Sequence, residues 1–296
     1  MRLDRVITLN LVQPARRLNG ATSPETFLPV LMYHSISDGA EPGLHPYHRV
    51  CTSPQRFREQ LQWLKDNGCR GVALQTGLDW LQRGTPVEGG PDRNGRPVVL
   101  TFDDGFRDFY TAAWPVLREF GFSATMYLPT AFITPHAASP QARGEFMGRA
   151  CLNWTEVREL QGAGLEFGSH TVHHPKLVDL AWPQIRAELQ DSKAAIEQQL
   201  GVACRAFAYP YAFPEANRDF VKQFNATLAL AGYTSHVTTQ IGRLAPGDDL
   251  LQIRRLPVNQ DDDLPFLAAK LAGAYDWLGP LQTMSKALRS VGDGRE

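Results

Sequence analysis

Val98-Val99-Leu100 is a run of apolar, largely β-branched residues with no polar residue inside it, and it leads through Thr101-Phe102 into Asp103-Asp104-Gly105. A strand with one wet face alternates apolar and polar residues. An unbroken apolar run reads instead as a strand buried on both faces, as in a parallel sheet covered by helices. Aspartate is disfavoured inside strands and costly to bury without a partner. Two of them at the carboxyl end of such a strand mark either a site or a turn that caps a following helix near Phe106.

The same arrangement recurs along the chain. Residues 27–33 are apolar and end at His34, and 37–53 are rich in Gly, Pro and His, a loop. Ser53-Pro54 opens a helix, with Phe57, Leu61 and Leu64 on one face and Asn67-Gly68 at its end. A short strand is expected over 71–74 and a helix over 77–83, followed by a turn-rich connection over 84–96. Beyond the opening strand come a helix kinked or delayed by Pro115, a strand over 124–128, an exposed polar loop over 134–150 and a helix begun by Asn153. A strand over 165–169 delivers His170, and a long amphipathic helix stops at Gly201. Residues 205–211 form another strand-to-loop junction. A helix over 218–230, a strand near 251–256 and a helix near 265–278 complete the reading. Strands alternate with helices and polar residues collect at the strands' carboxyl ends, which is the pattern of an α/β barrel or a doubly wound sheet with its site on one face.

A chain of 296 residues can bury one large core or two small ones. No fixed-period repeat or linker divides it, so we expect a peripheral arm over 1–26, one body over 27–290 and a frayed tail over 291–296. A net charge of −1 and the lack of a basic stripe argue against a nucleic-acid partner or electrostatic attachment to an anionic surface. Cys51, Cys69, Cys151 and Cys204 contain no C-x-x-C pair, and reduced structural thiols are expected. No stretch approaches the roughly 20 apolar residues of a membrane span. The amino terminus lacks the pattern of a signal peptide. These readings lead to the expectation of a cytoplasmic protein, at most peripheral at the inner membrane.

A second polar stretch carries the chemistry. Glu166-Phe167-Gly168-Ser169-His170-Thr171-Val172-His173-His174-Pro175 places three histidines within five residues. One helical turn would bring His170 and His174 to the same side. Two neutral imidazoles and a carboxylate can hold a divalent metal with positions left open. His173, between them, would point elsewhere. The competing reading is an exposed turn with incidental histidines.

Thr101-Phe102-Asp103-Asp104-Gly105 together with Ser169-His170-Thr171-x-x-His174-Pro175 resembles the polysaccharide deacetylase family, whose members share the NodB homology domain (carbohydrate esterase family 4). Phe207-Ala208-Tyr209-Pro210-Tyr211 is similar to its third motif. Pro29-Val30-Leu31-Met32-Tyr33-His34 is similar to the start of a subgroup that modifies exopolysaccharides. The likeness runs from about Pro29 to Val258. It implies an α/β fold, a distorted barrel related to the TIM barrel with fewer than eight repeats, here of (β/α)7 type. It also implies a metal-dependent hydrolase that removes an N-acetyl, or alternatively an O-acetyl, group from an acetylated amino sugar in a glycan or a glycan precursor. The metal expected is zinc, with cobalt, nickel or manganese as alternatives. Carried over, Asp104, His170 and His174 are metal ligands, Asp103 is the general base acting on water at the metal, and the Tyr211 N–H stabilises the oxyanion.

Two departures stand out. The late Leu-x-x-His motif that supplies the general acid in many members is absent, and His34 is the substitute, as in the subgroup. Ala208 occupies the position where relatives carry an arginine that orients the base. Arg254 or Arg255 could supply that guanidinium, and Arg255 matches the subgroup better. Ala212 also replaces a glycine after the Pro-Tyr pair. The departures leave open a catalytically decayed carbohydrate-binding module on the same barrel. A non-haem iron oxygenase also uses two histidines and a carboxylate, but the paired aspartates suit a hydrolase better.

Overall fold

The computed structural model describes residues 2–18, 27–39, 41, 43–83, 95–135 and 144–292, with side chains as far as Lys286. The expected connection at 84–94, the middle of the loop at 136–143, residues 19–26 of the arm and the tail at 293–296 lie outside these residues.

Eight parallel strands form the main sheet: β1 Val30–Tyr33, β2 Cys69–Val72, β3 Arg96–Phe102, β4 Thr125–Leu128, β5 Glu166–Ser169, β6 Ala206–Ala208, β7 Ser235–Ile241 and β8 Ile253–Pro257. Seven of them close into a barrel in the order β1-β8-β7-β6-β5-β4-β3, with β3 returning to β1 from Val30↔Val99 to Tyr33↔Phe102. β2 pairs with the first half of β3, Cys69↔Arg96 to Val72↔Val99, and β4 takes over at Thr101↔Thr125.

Successive strand residues face opposite sides of the wall. Val30, Val99, Tyr127, Ala208, Val237 and Ile253 point inward and form one buried cluster. Leu31, Tyr33, Val98, Leu100, Phe102 and Phe207 point outward and pack under the helices. Both faces are dry, which is why the strands carry apolar runs instead of alternation. The lumen is filled. Gly168 is part of that packing, because a Cβ there would lie 2.5 Å from the Tyr127 ring and 2.8 Å from the Ala206 carbonyl oxygen.

Helices cover the outside: α1 Pro54–Asp66, α2 Leu74–Arg83, α3 Trp114–Phe120, α4 Trp154–Gly162, α5 Trp182–Leu200, α6 Arg218–Leu230, α7 Leu264–Leu271 and α8 Leu278–Gly292. Ser53 caps α1 by accepting the Arg56 N–H at 3.2 Å. Pro115 lies one residue beyond a π-helical turn, Phe109–Ala113, so the helix runs on through it and its missing N–H falls where the hydrogen-bond ladder changes from π to α. A helical segment from Leu3 to Leu18 docks on the carboxyl-terminal helices. There Asp4 accepts from Arg2 and Tyr275, and Trp277 donates to Thr8 at 3.0 Å. Among the described residues, no helix is long and apolar enough to cross a membrane.

Four local expectations differ from the structure. Leu74 opens α2 instead of ending a strand, because its N–H donates to Thr125 Oγ1 at 2.8 Å. The expected helix over 265–278 ends at Leu271. Gly273 follows with φ +80°, where any Cβ would strike the Arg243 guanidinium, so the chain turns and starts α8 separately. Residues 144–150 are not an exposed loop: Glu145–Phe146 and Arg149–Ala150 pair as a hairpin that buries Phe146.

The fourth difference is β7, which the sequence did not announce. Its Ser-His-Val-Thr-Thr-Gln-Ile composition hides a strand whose threonine hydroxyls and imidazole Nδ1 find partners elsewhere in the chain. Thr238 Oγ1 donates to the Ile253 carbonyl at 3.0 Å, and His236 Nδ1 pairs with the Leu251 carbonyl at 2.8 Å. His236 is enclosed by Phe207, Phe213 and Phe224, and this burial pushes its imidazole down to about 3. Its contribution to stability is fully present above the unfolded value near 6.5. It is lost as pH falls from there towards the folded value, because only the unfolded chain then takes the proton. Wild-type protein is therefore expected to lose about 2 kcal/mol of unfolding free energy from this residue between pH 7 and 5. A His236→Phe variant, compared in urea titrations at both pH values, should lack that increment; an unchanged difference would refute the assignment.

Candidate active site

β1 and β3 are neighbours and end at the same level, Tyr33 opposite Phe102. The next residues, His34 and Asp103, continue the inward parity of Val30 and Val99, so both side chains enter the barrel mouth. His34 Nε2 stands 3.9 Å from Asp103 Oδ2. From β8, Arg255 shares the inward parity of Ile253 and reaches Asp103 with both terminal nitrogens, at 2.7 and 2.8 Å. The remaining Arg255 donors go to the Thr238 carbonyl at 2.9 Å and to Thr101 Oγ1 at 3.2 Å. This bidentate pair is buried on both sides. Burial alone would raise the Asp103 carboxyl. The Arg255 guanidinium, with smaller contributions from His170 and His34, more than offsets that and holds it well below the usual carboxylate range. Arg254 has the opposite parity, is exposed and lies 3.8 Å from Asp248, so the choice between the two arginines is decided by strand alternation.

Alternation would also send Asp104 out of the barrel, away from Asp103. It faces inward because the backbone leaves the strand at Asp104 with φ +72°. Five non-glycine residues have positive φ among the described residues: Asp104, Met147, Thr171, His174 and Tyr211. Four of these line one pocket and the fifth, Thr171, supports it. Backbone of this kind is held against its own preference, at about 1–3 kcal/mol per residue, and collects at functional sites.

His170 and His174 are not brought together by a helical turn as the spacing implied. Residues 170–176 are irregular, and positive φ at Thr171 and His174 folds the loop back. Local hydrogen bonds hold it. Thr171 Oγ1 accepts the His174 N–H at 2.9 Å and donates to the His170 carbonyl. Glu188 of α5 accepts the N–H groups of Val172 and His173 at 2.8 and 3.0 Å and holds the His173 ring at 2.7 Å. His173 points away from the pocket, as expected. Glu188 and Thr171 were missed by sequence reading, since nothing local separates Glu188 from the other carboxylates of an amphipathic helix.

His170 Nδ1 bonds the Ala208 carbonyl at 2.8 Å, which as a donor leaves Nε2 with a lone pair aimed at Asp104. The Nε2 atoms of His170 and His174 lie 3.5 and 3.4 Å from Asp104 Oδ1. Ligand atoms of the three residues fall within 4.8 Å of one another. A tetrahedral cation with bonds of about 2.0–2.1 Å has edges of roughly 3.4 Å, so the two measured spacings fit such an ion. Burial and the facing His170 imidazole push His174 down to about 3, which leaves it neutral and a competent ligand. Burial would push His170 down, but its hydrogen bond to Asp104 and the Asp103 charge more than offset this and push it up, so a cation at its Nε2 would displace a proton. One carboxylate and two imidazoles are the donor set of a zinc-type cation with open positions.

His34, Asp103, Asp104, His170, His174 and Tyr211 line a single pocket of about 380 Å³, with Arg255 behind Asp103. The Tyr211 ring meets His174 edge to face, with centroids 4.6 Å apart, and the Tyr211 backbone N–H has no hydrogen-bond partner among the described residues. Phe146 of the unforeseen hairpin covers the other side of His174 at 4.9 Å. Thus all seven residues singled out from the sequence converge on one mouth, formed by the loops that follow β1, β3, β5 and β6 and by β8.

Comparison with known proteins agrees with this geometry. The family model described as polysaccharide deacetylase matches residues 90–233. A Bacillus subtilis (strain 168) protein assigned to the polysaccharide deacetylases is 27% identical over 250 residues, covering 84% of this chain and 75% of that protein. The poly-beta-1,6-N-acetyl-D-glucosamine N-deacetylase of Escherichia coli (strain K12) is 31% identical over 152 residues, 50% of this chain but only 21% of that much longer protein. Among solved structures, the Streptococcus pyogenes deacetylase PplD in complex with acetate superposes with a TM-score of 0.66 at 27% identity, covering 82% of this chain and 97% of that one.

Proposed function

We propose, from the premise that this chain belongs to the polysaccharide deacetylase family, that it hydrolyses the N-acetyl group of an acetylated amino sugar in a glycan or glycan precursor. The observation that carries the reading is the pairing of two adjacent carboxylates in different environments: Asp103 clamped by Arg255, Asp104 facing two imidazoles.

Asp104, His170 and His174 would hold a divalent cation, zinc by preference, which when bound would polarise the acetamide carbonyl and ease deprotonation of water. Asp103 is the general base: it takes the proton of the attacking water on a carboxylate oxygen. Arg255 lowers the basicity of that carboxylate and in exchange keeps it ionised and correctly oriented. The Tyr211 N–H donates to the oxyanion that forms on the carbonyl. His34, on the strand next to that of Asp103 and 3.9 Å from it, gives a proton to the departing amine, so that acetate and a free amino sugar leave. The presence of Arg255 and His34 at this mouth argues against the decayed binding module, because they fill the two places where the motifs depart from the family.

Acetate release from acetylated glucosamine oligomers is expected with zinc-loaded protein, to disappear after exhaustive chelation and to return on adding zinc. Release that is indifferent to chelation would refute the metal assignment, and no release from any acetylated amino sugar would refute the reading.

A further inference from the structure

The catalytic pocket does not end at Tyr211. His34, His48, Val50, Tyr211 and Thr239 also line a second, larger groove of about 690 Å³. It runs from the barrel mouth across the ends of β7, β8 and β1 to the Leu3–Leu18 helix and α8. Leu3, Met32, Val50, Val258, Leu278 and Leu281 supply its apolar wall.

The charged and amide side chains along it, Asp4, Arg49, Gln282 and Lys286, are already engaged. Gln282 accepts the Ile241 N–H and donates to the Thr239 carbonyl. Arg49 pairs with Asp261, and Lys286 with Glu215 and the Phe213 carbonyl. Asp4 is held by Arg2 and Tyr275. A sugar needs donors and acceptors for its hydroxyls: the imidazoles of His34 and His48, which line both cavities, can serve at the pocket end, while the charged and amide groups of the larger groove are turned into the protein. The far end opens between Leu3 and Leu281, both exposed, with exposed Met284 on the same helix. Leu11 and Leu18 of the same amino-terminal helical segment are also exposed. Large aliphatic side chains left in solvent around the mouth of an apolar groove mark an apolar ligand or surface.

We propose that the substrate is an amphiphile, an acetylated amino sugar carried on a lipid, whose sugar occupies the pocket at Asp103 and whose alkyl chain lies in this groove with the exposed leucines against the membrane surface. The sugar end of this assignment rests on the deacetylase reading; the alkyl end rests on the groove alone.

The test compares methyl and octyl N-acetylglucosaminides with the full-length zinc-loaded chain, below micelle-forming concentration. Each buried methylene strengthens binding by a factor of about three to four. The octyl glycoside is expected to bind at least about tenfold more tightly by calorimetry and to show a KM lowered by a similar factor, with kcat unchanged. Leu281→Glu and Leu3→Glu, both at exposed positions, should abolish that preference and leave turnover of the methyl glycoside as it was. Equal affinity for the two glycosides overturns the proposal, as does an octyl preference that survives both variants. So does an acetylated oligosaccharide whose affinity rises with length and falls in Leu281→Glu. An octyl preference removed by the variants, with no acetate released from either glycoside or from acetylated glucosamine oligomers, upholds the groove and refutes the deacetylase reading instead.

Discussion

Replacing Asp103 with asparagine is expected to lower kcat for acetate release by about 10²–10⁴-fold, the usual contribution of a positioned general base. Asparagine keeps the shape and one acceptor for Arg255, but it cannot take a proton from water. Its amide NH2 would face the second Arg255 nitrogen, donor against donor, where the carboxylate now accepts at 2.8 Å. The variant will therefore also be less stable, and rates should be measured well below its melting transition and scaled to folded protein. Metal content is the discriminating readout. Asp103 is not among the residues whose donor atoms cluster, Asp104, His170 and His174, so one cation per chain should remain. Loss of metal together with activity would show that Asp103 is a ligand. Full activity would remove it from the mechanism.

The second large effect is expected at Arg255. Truncation to methionine leaves Asp103 buried and ionised without its main partner, and breaking a buried pair in this way costs about 3–5 kcal/mol. The pH dependence separates this from a simple packing defect. In the wild type the carboxyl is held below its unfolded value. The pair's stabilisation is thus complete above about pH 4 and is lost as pH falls through the folded value. In Arg255→Met burial dominates and raises the carboxyl instead, so protonation relieves the variant. The stability gap between wild type and Arg255→Met should narrow on acidification, and the acid limb of kcat/KM should move up in pH. Arg255→Lys keeps the charge but loses the fork and the bond to the Thr238 carbonyl, and should fall between the two. A stability gap independent of pH would mean that Arg255 matters only as packing.

Much of this was legible in the sequence because it is written in local terms. Unbroken apolar runs such as Val98-Val99-Leu100 announce strands buried on both faces, and strands so buried need helices on one side and a filled lumen on the other. Ser53-Pro54 and Asn153 announce helix starts by the cap they offer. What escaped was β7, whose Thr238, Thr239 and His236 are satisfied by Ile253, Phe213 and Leu251 from elsewhere in the chain, and the 145–150 hairpin, whose Phe146 finds its partners in His174 and Phe132.

At the site the division is sharper. The residue types and their order, Asp-Asp, His-x-x-x-His and a late pair of arginines, are properties of the sequence, and their resemblance to the polysaccharide deacetylase motifs nominated metal ligands and a base. Which arginine serves was decided by strand parity: Arg255 faces the lumen and Arg254 the solvent. How two consecutive aspartates can serve one site was decided by the left-handed backbone at Asp104, and how the two histidines meet by the same geometry at Thr171 and His174, clamped by Glu188 from a helix 15 residues away. Such backbone is unfavourable in isolation, so no local rule predicts it. Only the surrounding barrel, by supplying the hydrogen bonds and the packing that outweigh the strain, makes it the stable arrangement.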